Sequence, residues 1–203
     1  IFFGTPLAQG PLYFNQKIFY YHVPCAMMMF TSIIVCGIAG IKYLRGRQDR
    51  WDDVCYAAAE VAVMFGAIVM VTGVLWAKPA WDKWWVWDAR LTTALLLWMT
   101  MIAYVLVRKY GGAGSERLAS GLGVFGMINV PLVYASTTLW NTNHPSTNTV
   151  PSLDPQMRAA FWLSVLLFTV FFVLLLRLRI DARRAERRLY QCREMAMDAG
   201  ILE

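Results

Sequence analysis

The sequence predicts an all-α, polytopic transmembrane helix bundle. Of its 203 residues, 58% are hydrophobic and only 16% are charged, and the mean hydropathy is +0.45. These values do not suit a water-soluble domain of this size. Five stretches also remain apolar over the roughly 17–25 residues that a helix needs to cross a bilayer. The composition therefore indicates a single membrane domain over residues 1–203.

The five predicted spans are bounded by charged or Pro- and Asn-containing segments. They cover residues 23–44, 55–75, 91–107, 118–140 and 159–178. The sequence lacks the alternating pattern of membrane β-strands. It opens at Ile1-Phe2-Phe3 without an initiator methionine, a charged n-region or a small-residue cleavage site. We interpret these first residues as the end of a sixth, N-terminal span that is missing here.

Basic residues are concentrated on one side of the predicted bundle. Fourteen of the nineteen follow the first, third and fifth spans, many of them in or beside a basic tail over residues 179–203. Short loops rich in Lys and Arg stay in the cytoplasm, and the acidic lipid surface is enough to explain the tail's arginines. The opposite side, with loops 76–92 and 141–158, is therefore predicted to face outward.

The chain has only two histidines, His22 and His144, and both fall on the predicted outer side at the end of a span. His22 precedes Pro24, which a helix tolerates in its first turn, and His144 lies in a turn-forming segment. Either imidazole alone could simply bond to a carbonyl at the interface. Two imidazoles on one face are, however, a typical pair of axial ligands for one heme iron.

Four of the five tryptophans in the outer loop 76–92 crowd into seven positions, and Asp88 and Arg90 follow them. The four are Trp81, Trp84, Trp85 and Trp87. An interfacial aromatic belt would spread its rings among several helices, whereas indoles in one loop can form an apolar platform for a porphyrin face. Asp88 could orient a backbone or indole N–H, and Arg90 could pair with a propionate. The alternative is a local Asp88–Arg90 ion pair.

The segments around these residues resemble a known family. Residues 76–92, read as WAKPAWDKWWVWDARLT, together with Tyr21-His22-Val23-Pro24 and Asn129-Val130-Pro131, are similar to the CcmC heme-handling proteins of cytochrome c maturation. That family shares its WWD domain with the CcmF and CcsA heme lyases, which typically carry more spans and more histidines. The family usually has glycine where Ala77 and Asp82 stand.

The resemblance implies a heme-delivery membrane protein and not an enzyme. It would bind heme b transiently and non-covalently at the outer face, with His22 and His144 as axial ligands and the tryptophan loop as platform. The implied recipient is the periplasmic heme chaperone CcmE. The other implied partners are CcmD, membrane lipid and the CcmA/CcmB ABC-type subunits, whose ATPase is another chain, with no nucleic acid. The implied location is the bacterial inner membrane, with the heme site facing the periplasm.

Two other functions remain open at this stage. A cytochrome c heme lyase component would use further ligand histidines in its spans. A b-type electron-transfer subunit would hold a buried heme with histidine pairs inside the bundle. The sequence has no third histidine, and its four cysteines form no C-x-x-C-H attachment motif. Glu60 lies within a span, and we expect it to reach the cytoplasmic interface or to pair with a basic residue there.

Overall fold

The computed structural model describes residues 4–6, 13–140, 142–145 and 149–201. A short 3-10 helix, Tyr13–Ile18, leads into five α-helices. These are α1 (Phe19–Gly46), α2 (Asp49–Trp81), α3 (Ala89–Tyr110), α4 (Ser115–Leu139) and α5 (Pro155–Asp198). All five are long and apolar enough to cross a membrane, and the described residues contain no β-strand. The predicted all-α membrane fold is confirmed.

Each predicted span lies within one helix, except that the fourth span was placed one residue past the helix end, at Trp140. The helices extend beyond the apolar runs because polar residues continue the backbone hydrogen bonding outside the hydrocarbon core. This is clearest in α5, whose 44 residues correspond to a length of about 66 Å. The hydrocarbon core is only about 30 Å thick, so α5 continues through most of the basic tail.

Helix α1 packs against α2, α4 and α5. Its contact with α4 depends on small residues. A Cβ atom added at Gly37 would lie 2.4 Å from the Cβ of Met127, a distance that side chains do not tolerate. Small residues allow membrane helices to approach in this way. The close packing of α1 and α4 holds together the two elements that lead to the histidines.

The connections place five helix termini at one end of the bundle. The start of α1, the end of α2, the start of α3, the end of α4 and the start of α5 lie there, and we call it the histidine end. The opposite end, where α1 meets α2 and α3 meets α4, is the arginine end. The chain alternates direction from helix to helix, so its two histidines reach the same end although 122 positions in the numbering separate them.

Ion pairs tie the helices together at the arginine end. Arg187 of α5 lies 2.8 Å from Asp49, 3.1 Å from Asp52 and 2.6 Å from Asp53, all at the start of α2. Arg108 of α3 lies 2.6 Å from Asp52. Asp52 and Asp53 are buried, and a buried carboxylate needs such partners. The network therefore fixes the extended part of α5 against the start of α2.

Glu60 has the basic partner expected for it. Its two carboxylate oxygens accept from Nε and Nη2 of Arg179 at 2.6 and 3.0 Å. Arg179 also donates to Glu186 at 2.9 Å. A bidentate pair of this kind is a strong way to hold a carboxylate in a span. Glu60 therefore links α2 to α5 on the side of the arginine end.

Candidate functional site

His22 lies in the first turn of α1, and its ring faces α2. Its Nδ1 atom is 2.9 Å from the hydroxyl oxygen of Thr72, which is itself 2.6 Å from the carbonyl oxygen of Ile68. A carbonyl oxygen only accepts, so the Thr72 hydroxyl donates its single proton to Ile68 and accepts one from Nδ1. The lone pair of the neutral imidazole is then on Nε2.

His144 lies beyond the end of α4, and its ring has the same tautomer for a different reason. Nδ1 is 2.9 Å from the carbonyl oxygen of Pro145, so Nδ1 carries the proton and Nε2 the lone pair. Burial lowers the pKa of His144, and Arg90 acts in the same direction, while the bond to Pro145 and the charge of Asp88 oppose them. The imidazole is therefore neutral at pH 7, which is the form that ligates metals.

Asp88 joins the tryptophan loop to the His144 segment. Its Oδ1 accepts from the backbone N–H of Leu91 at 2.8 Å and so caps α3. Its Oδ2 accepts from the backbone N–H of Asn143 at 3.1 Å. One carboxylate therefore fixes both the start of α3 and the residue before His144. Within the described chain, Asp88 and Arg90 do not form the ion pair considered above.

Arg90 lies in the first turn of α3 and reaches across to α4. Its Nη1 donates to the backbone carbonyl of Val133. Arg90 lies close enough to both His22 and His144 for its positive charge to act on each ring. The structure thus brings both histidines and Arg90 together at the histidine end, although they come from three different segments of the chain.

Four tryptophans near the histidine end form two edge-to-face pairs. Trp81 packs against Trp76 with ring centroids 5.4 Å apart, and Trp85 packs against Trp87 at 5.6 Å. Helix α2 continues through residues 76–81, so the non-helical loop covers only 82–88. Trp84 is 57% exposed and Trp87 is 76% exposed. The loop therefore presents indole faces at the surface of the histidine end.

Asp82 adopts a backbone conformation that favours glycine. It ends α2 with a φ of 55°, in the left-handed region. Asp is one of the few non-glycine residues that visit this region. The Nζ atom of Lys78 lies 2.5 Å from its carboxylate and 3.2 Å from its carbonyl oxygen. This contact lowers the pKa of the Asp82 carboxyl and closes the last turn of the helix.

The donor set of the histidine end fits a heme. The indole Nε1 of Trp85 is buried and has no hydrogen-bond partner among the residues that the structure describes. A buried donor without a partner costs free energy, and an anionic ligand would satisfy it. Heme brings two carboxylates for such donors, an iron atom for two imidazole Nε2 atoms, and a flat apolar ring for the indoles.

The sequence does not single out Thr72 or Gly73, although both lie beside His22. The Thr72 hydroxyl accepts a hydrogen bond from Nδ1 of His22, and a Cβ atom at Gly73 would lie 3.2 Å from Cε1 of the same ring. A threonine–glycine pair in an apolar span is common and carries no local signal of such a role. Only the packing of α1 against α2 reveals it.

These features define a polytopic helical membrane protein that gathers imidazole and indole groups at one end of its bundle. Residues 7–196 match the family described as heme exporter protein C, CcmC. The chain belongs to this family, as its motifs predicted.

Relatives from distant organisms share most of the chain. It is 35% identical over 180 residues to heme exporter protein C of Escherichia coli K12. The aligned region covers 84% of this chain and 69% of that protein. It is 32% identical over 165 residues to a putative cytochrome c biosynthesis ccmC-like mitochondrial protein of Marchantia polymorpha. The aligned region covers 79% of this chain and 68% of that protein. It is 29% identical over 196 residues to heme exporter protein C of Rhodobacter capsulatus. The aligned region covers 93% of this chain and 80% of that protein.

Proposed function

We propose that this protein binds heme at the histidine end, with His22 and His144 as axial ligands, and delivers it to a periplasmic heme chaperone for cytochrome c maturation. Membership of the heme exporter protein C family supports heme as the cargo. The observation that carries the ligand assignment is that both imidazoles lie at one end of the bundle with Nδ1 hydrogen-bonded, which leaves both Nε2 atoms available.

Both histidines act as neutral ligands in this proposal. A metal-binding imidazole almost always donates its other N–H to an acceptor, which orients the ring and raises its basicity. Here the acceptors are a hydroxyl from α2 for His22 and the Pro145 carbonyl for His144. Heme would supply the iron and the propionate charges, and the chain would supply orientation and an apolar surface. The binding is non-covalent, as suits a cargo that must leave.

The exposed tryptophans support delivery to a partner. Trp84 and Trp87 cover part of the histidine end and remain open to the surroundings. A partner docking there would meet the heme without entering the bundle. The recipient we propose is a CcmE-like chaperone, and CcmA, CcmB and CcmD are the proposed partners within the membrane. The chain itself acts as a carrier, and ATP hydrolysis belongs to another subunit.

Charge asymmetry supports an orientation in the bacterial inner membrane with the histidine end in the periplasm. Most of the basic residues lie at the arginine end or in the extended part of α5. Such residues remain on the cytoplasmic side of the membrane. Heme bound at the histidine end would then be accessible to periplasmic proteins.

The test is titration of the detergent-purified protein with hemin, followed by optical spectroscopy. The intact chain should bind about one heme in a low-spin state, and a pyridine hemochrome assay should show no covalent attachment. His22→Ala and His144→Ala should each convert the heme to a high-spin, more weakly held form. Low-spin heme that is unchanged in both variants would contradict the ligand assignment. Failure of the intact chain to take up hemin would contradict the function.

A further inference from the structure

We propose that Thr72 is a positioning residue that fixes the tautomer and the orientation of His22, and that Gly73 clears the space in which the ring lies. This inference rests on the heme site proposed above. It adds two residues of α2 that aim one of the ligands without touching the heme themselves.

A chain of two hydrogen bonds supports the role of Thr72. The ring of His22 donates from Nδ1 to the Thr72 hydroxyl, which donates to the Ile68 carbonyl. The hydroxyl has one proton, and its 2.6 Å contact with a carbonyl oxygen commits that proton. Thr72 can therefore only accept from the imidazole. This forces the proton onto Nδ1 and leaves Nε2 for the metal.

Gly73 acts on the same ring through space. An added Cβ atom would lie 3.2 Å from Cε1 and 3.8 Å from Nδ1 of His22. The first of these distances is shorter than an ordinary carbon–carbon contact of about 3.5–4.0 Å. A methyl group there would require the ring to shift by a few tenths of an ångström. Two adjacent residues of α2 thus control the ring, one by binding it and the other by leaving room.

The chain offers a matched control for the hydroxyl. The hydroxyl of Thr100 in α3 donates to the backbone carbonyl of Leu96 at 2.8 Å. Thr72 makes the same type of bond to the carbonyl of Ile68. Thr100 has no imidazole to hold, since the Nδ1 atoms of the chain's two histidines are bonded to Thr72 and Pro145. Valine at either position removes the hydroxyl and keeps the shape. Only Thr72→Val should therefore affect the heme.

The first measurement is the spin state and the dissociation rate of bound hemin, with apomyoglobin as scavenger. Loss of a residue that orients a metal ligand typically weakens metal binding by about 10–100-fold. Thr72→Val should therefore release hemin at least about tenfold faster, with a larger high-spin fraction. Thr72→Ser keeps the acceptor and should behave as the parent, as should Thr100→Val.

The second measurement separates hydrogen bonding from general packing. In a His144→Ala background, reduced heme is held by His22 alone, and resonance Raman spectroscopy reports its iron–histidine stretching frequency. A hydrogen bond from Nδ1 strengthens the ligand, so Thr72→Val should lower this frequency and Thr72→Ser should not. A change of packing alone would leave the frequency in place.

Gly73→Ala gives an independent test that does not alter the hydroxyl. It should raise the high-spin fraction, whereas Gly121→Ala should not, because a Cβ atom at Gly121 meets nothing within 4 Å. The inference is wrong, and the heme site stands, if the parent binds low-spin heme and neither variant differs from its control. For Thr72→Val this means an unchanged spin state, hemin release rate and iron–histidine frequency. For Gly73→Ala it means an unchanged high-spin fraction. If the parent binds no hemin, the proposed function fails and the inference with it.

Discussion

At the scale of single residues, the two imidazoles reach the same chemical state by different means. His22 is oriented by a hydroxyl on another helix, so its tautomer depends on the packing of α1 against α2. His144 is oriented by the carbonyl of the residue that follows it. The first ligand is therefore set by tertiary structure and the second by a local turn, tied to the rest of the site through Asp88.

The indole N–H of Trp85, which has no hydrogen-bond partner within the described part of the chain, leads to a testable prediction. Trp85→Phe keeps an aromatic ring and removes the donor. A hydrogen bond to a charged group contributes about 1.5–3 kcal/mol, so hemin affinity should fall by roughly tenfold or more. Trp87→Phe, at an exposed position, is the comparison. Equilibrium titration with hemin provides the measurement.

Hemin dimethyl ester is the control for this prediction. Both propionates of this compound are methyl esters and carry no charge. The parent and Trp85→Phe should therefore bind it with similar affinity. Equal affinities for hemin itself would show that the indole N–H does not bind a propionate.

The residue types of the candidate site could be predicted from the sequence, and some of their partners could not. Two histidines and a tryptophan-rich segment stand out because they are rare and fall on one predicted side. Thr72 does not stand out, because its role depends on a contact between residues 50 positions apart. Contacts of this kind depend on how two helices are rotated against each other, which hydropathy does not specify.

At the scale of elements, Asp88 couples the start of α3 to the His144 segment, and this coupling can be tested. Asp88→Ala removes a helix cap, which costs about 1 kcal/mol, and also frees the backbone of Asn143. The bound heme should therefore lose part of its low-spin character while the protein unfolds at a slightly lower temperature. Optical spectra and thermal unfolding in detergent measure the two effects.

Asp154 provides a matched helix cap for comparison. Its Oδ1 accepts from the N–H of Gln156 at 2.9 Å at the start of α5. Asp154→Ala should lower stability by a similar amount, about 1 kcal/mol, and leave the heme spectrum unchanged. If both variants change the spectrum equally, Asp88 acts only as a cap.

The existence of the helices was predictable, whereas some of their ends were not. A run of about 20 apolar residues identifies a span because a bilayer admits little else. The end of α2 was harder, since Pro79 favours a boundary before it. The helix nevertheless continues to Trp81, because a proline in the last turn removes a single backbone bond and Lys78 and Asp82 close that turn.

At the scale of the whole molecule, the proposed orientation predicts which surfaces a membrane-impermeant thiol reagent can reach. Cys192 is exposed on the extended part of α5, whereas Cys25, Cys36 and Cys55 are buried. In intact spheroplasts, a maleimide that cannot cross the membrane should leave Cys192 unlabelled, and permeabilisation should expose it.

Trp87→Cys supplies the matching probe at the histidine end. Its position is exposed, so it should be labelled without permeabilisation. Labelling of Cys192 from outside, with Trp87→Cys protected, would reverse the orientation and place the candidate site in the cytoplasm.

Two histidines of one chain hold one heme in the proposed site, and the composition of the chain allows a direct measurement of this. Because His22 and His144 are the only histidines, protein grown with ¹⁵N-labelled histidine and purified with a histidine-free tag reports on these two residues alone. Pulsed EPR of the ferric heme complex should show two iron-bound ¹⁵N nuclei, one from each imidazole, and only one in each single alanine variant. One iron-bound ¹⁵N nucleus or none in the intact protein would show that His22 and His144 do not both bind the heme.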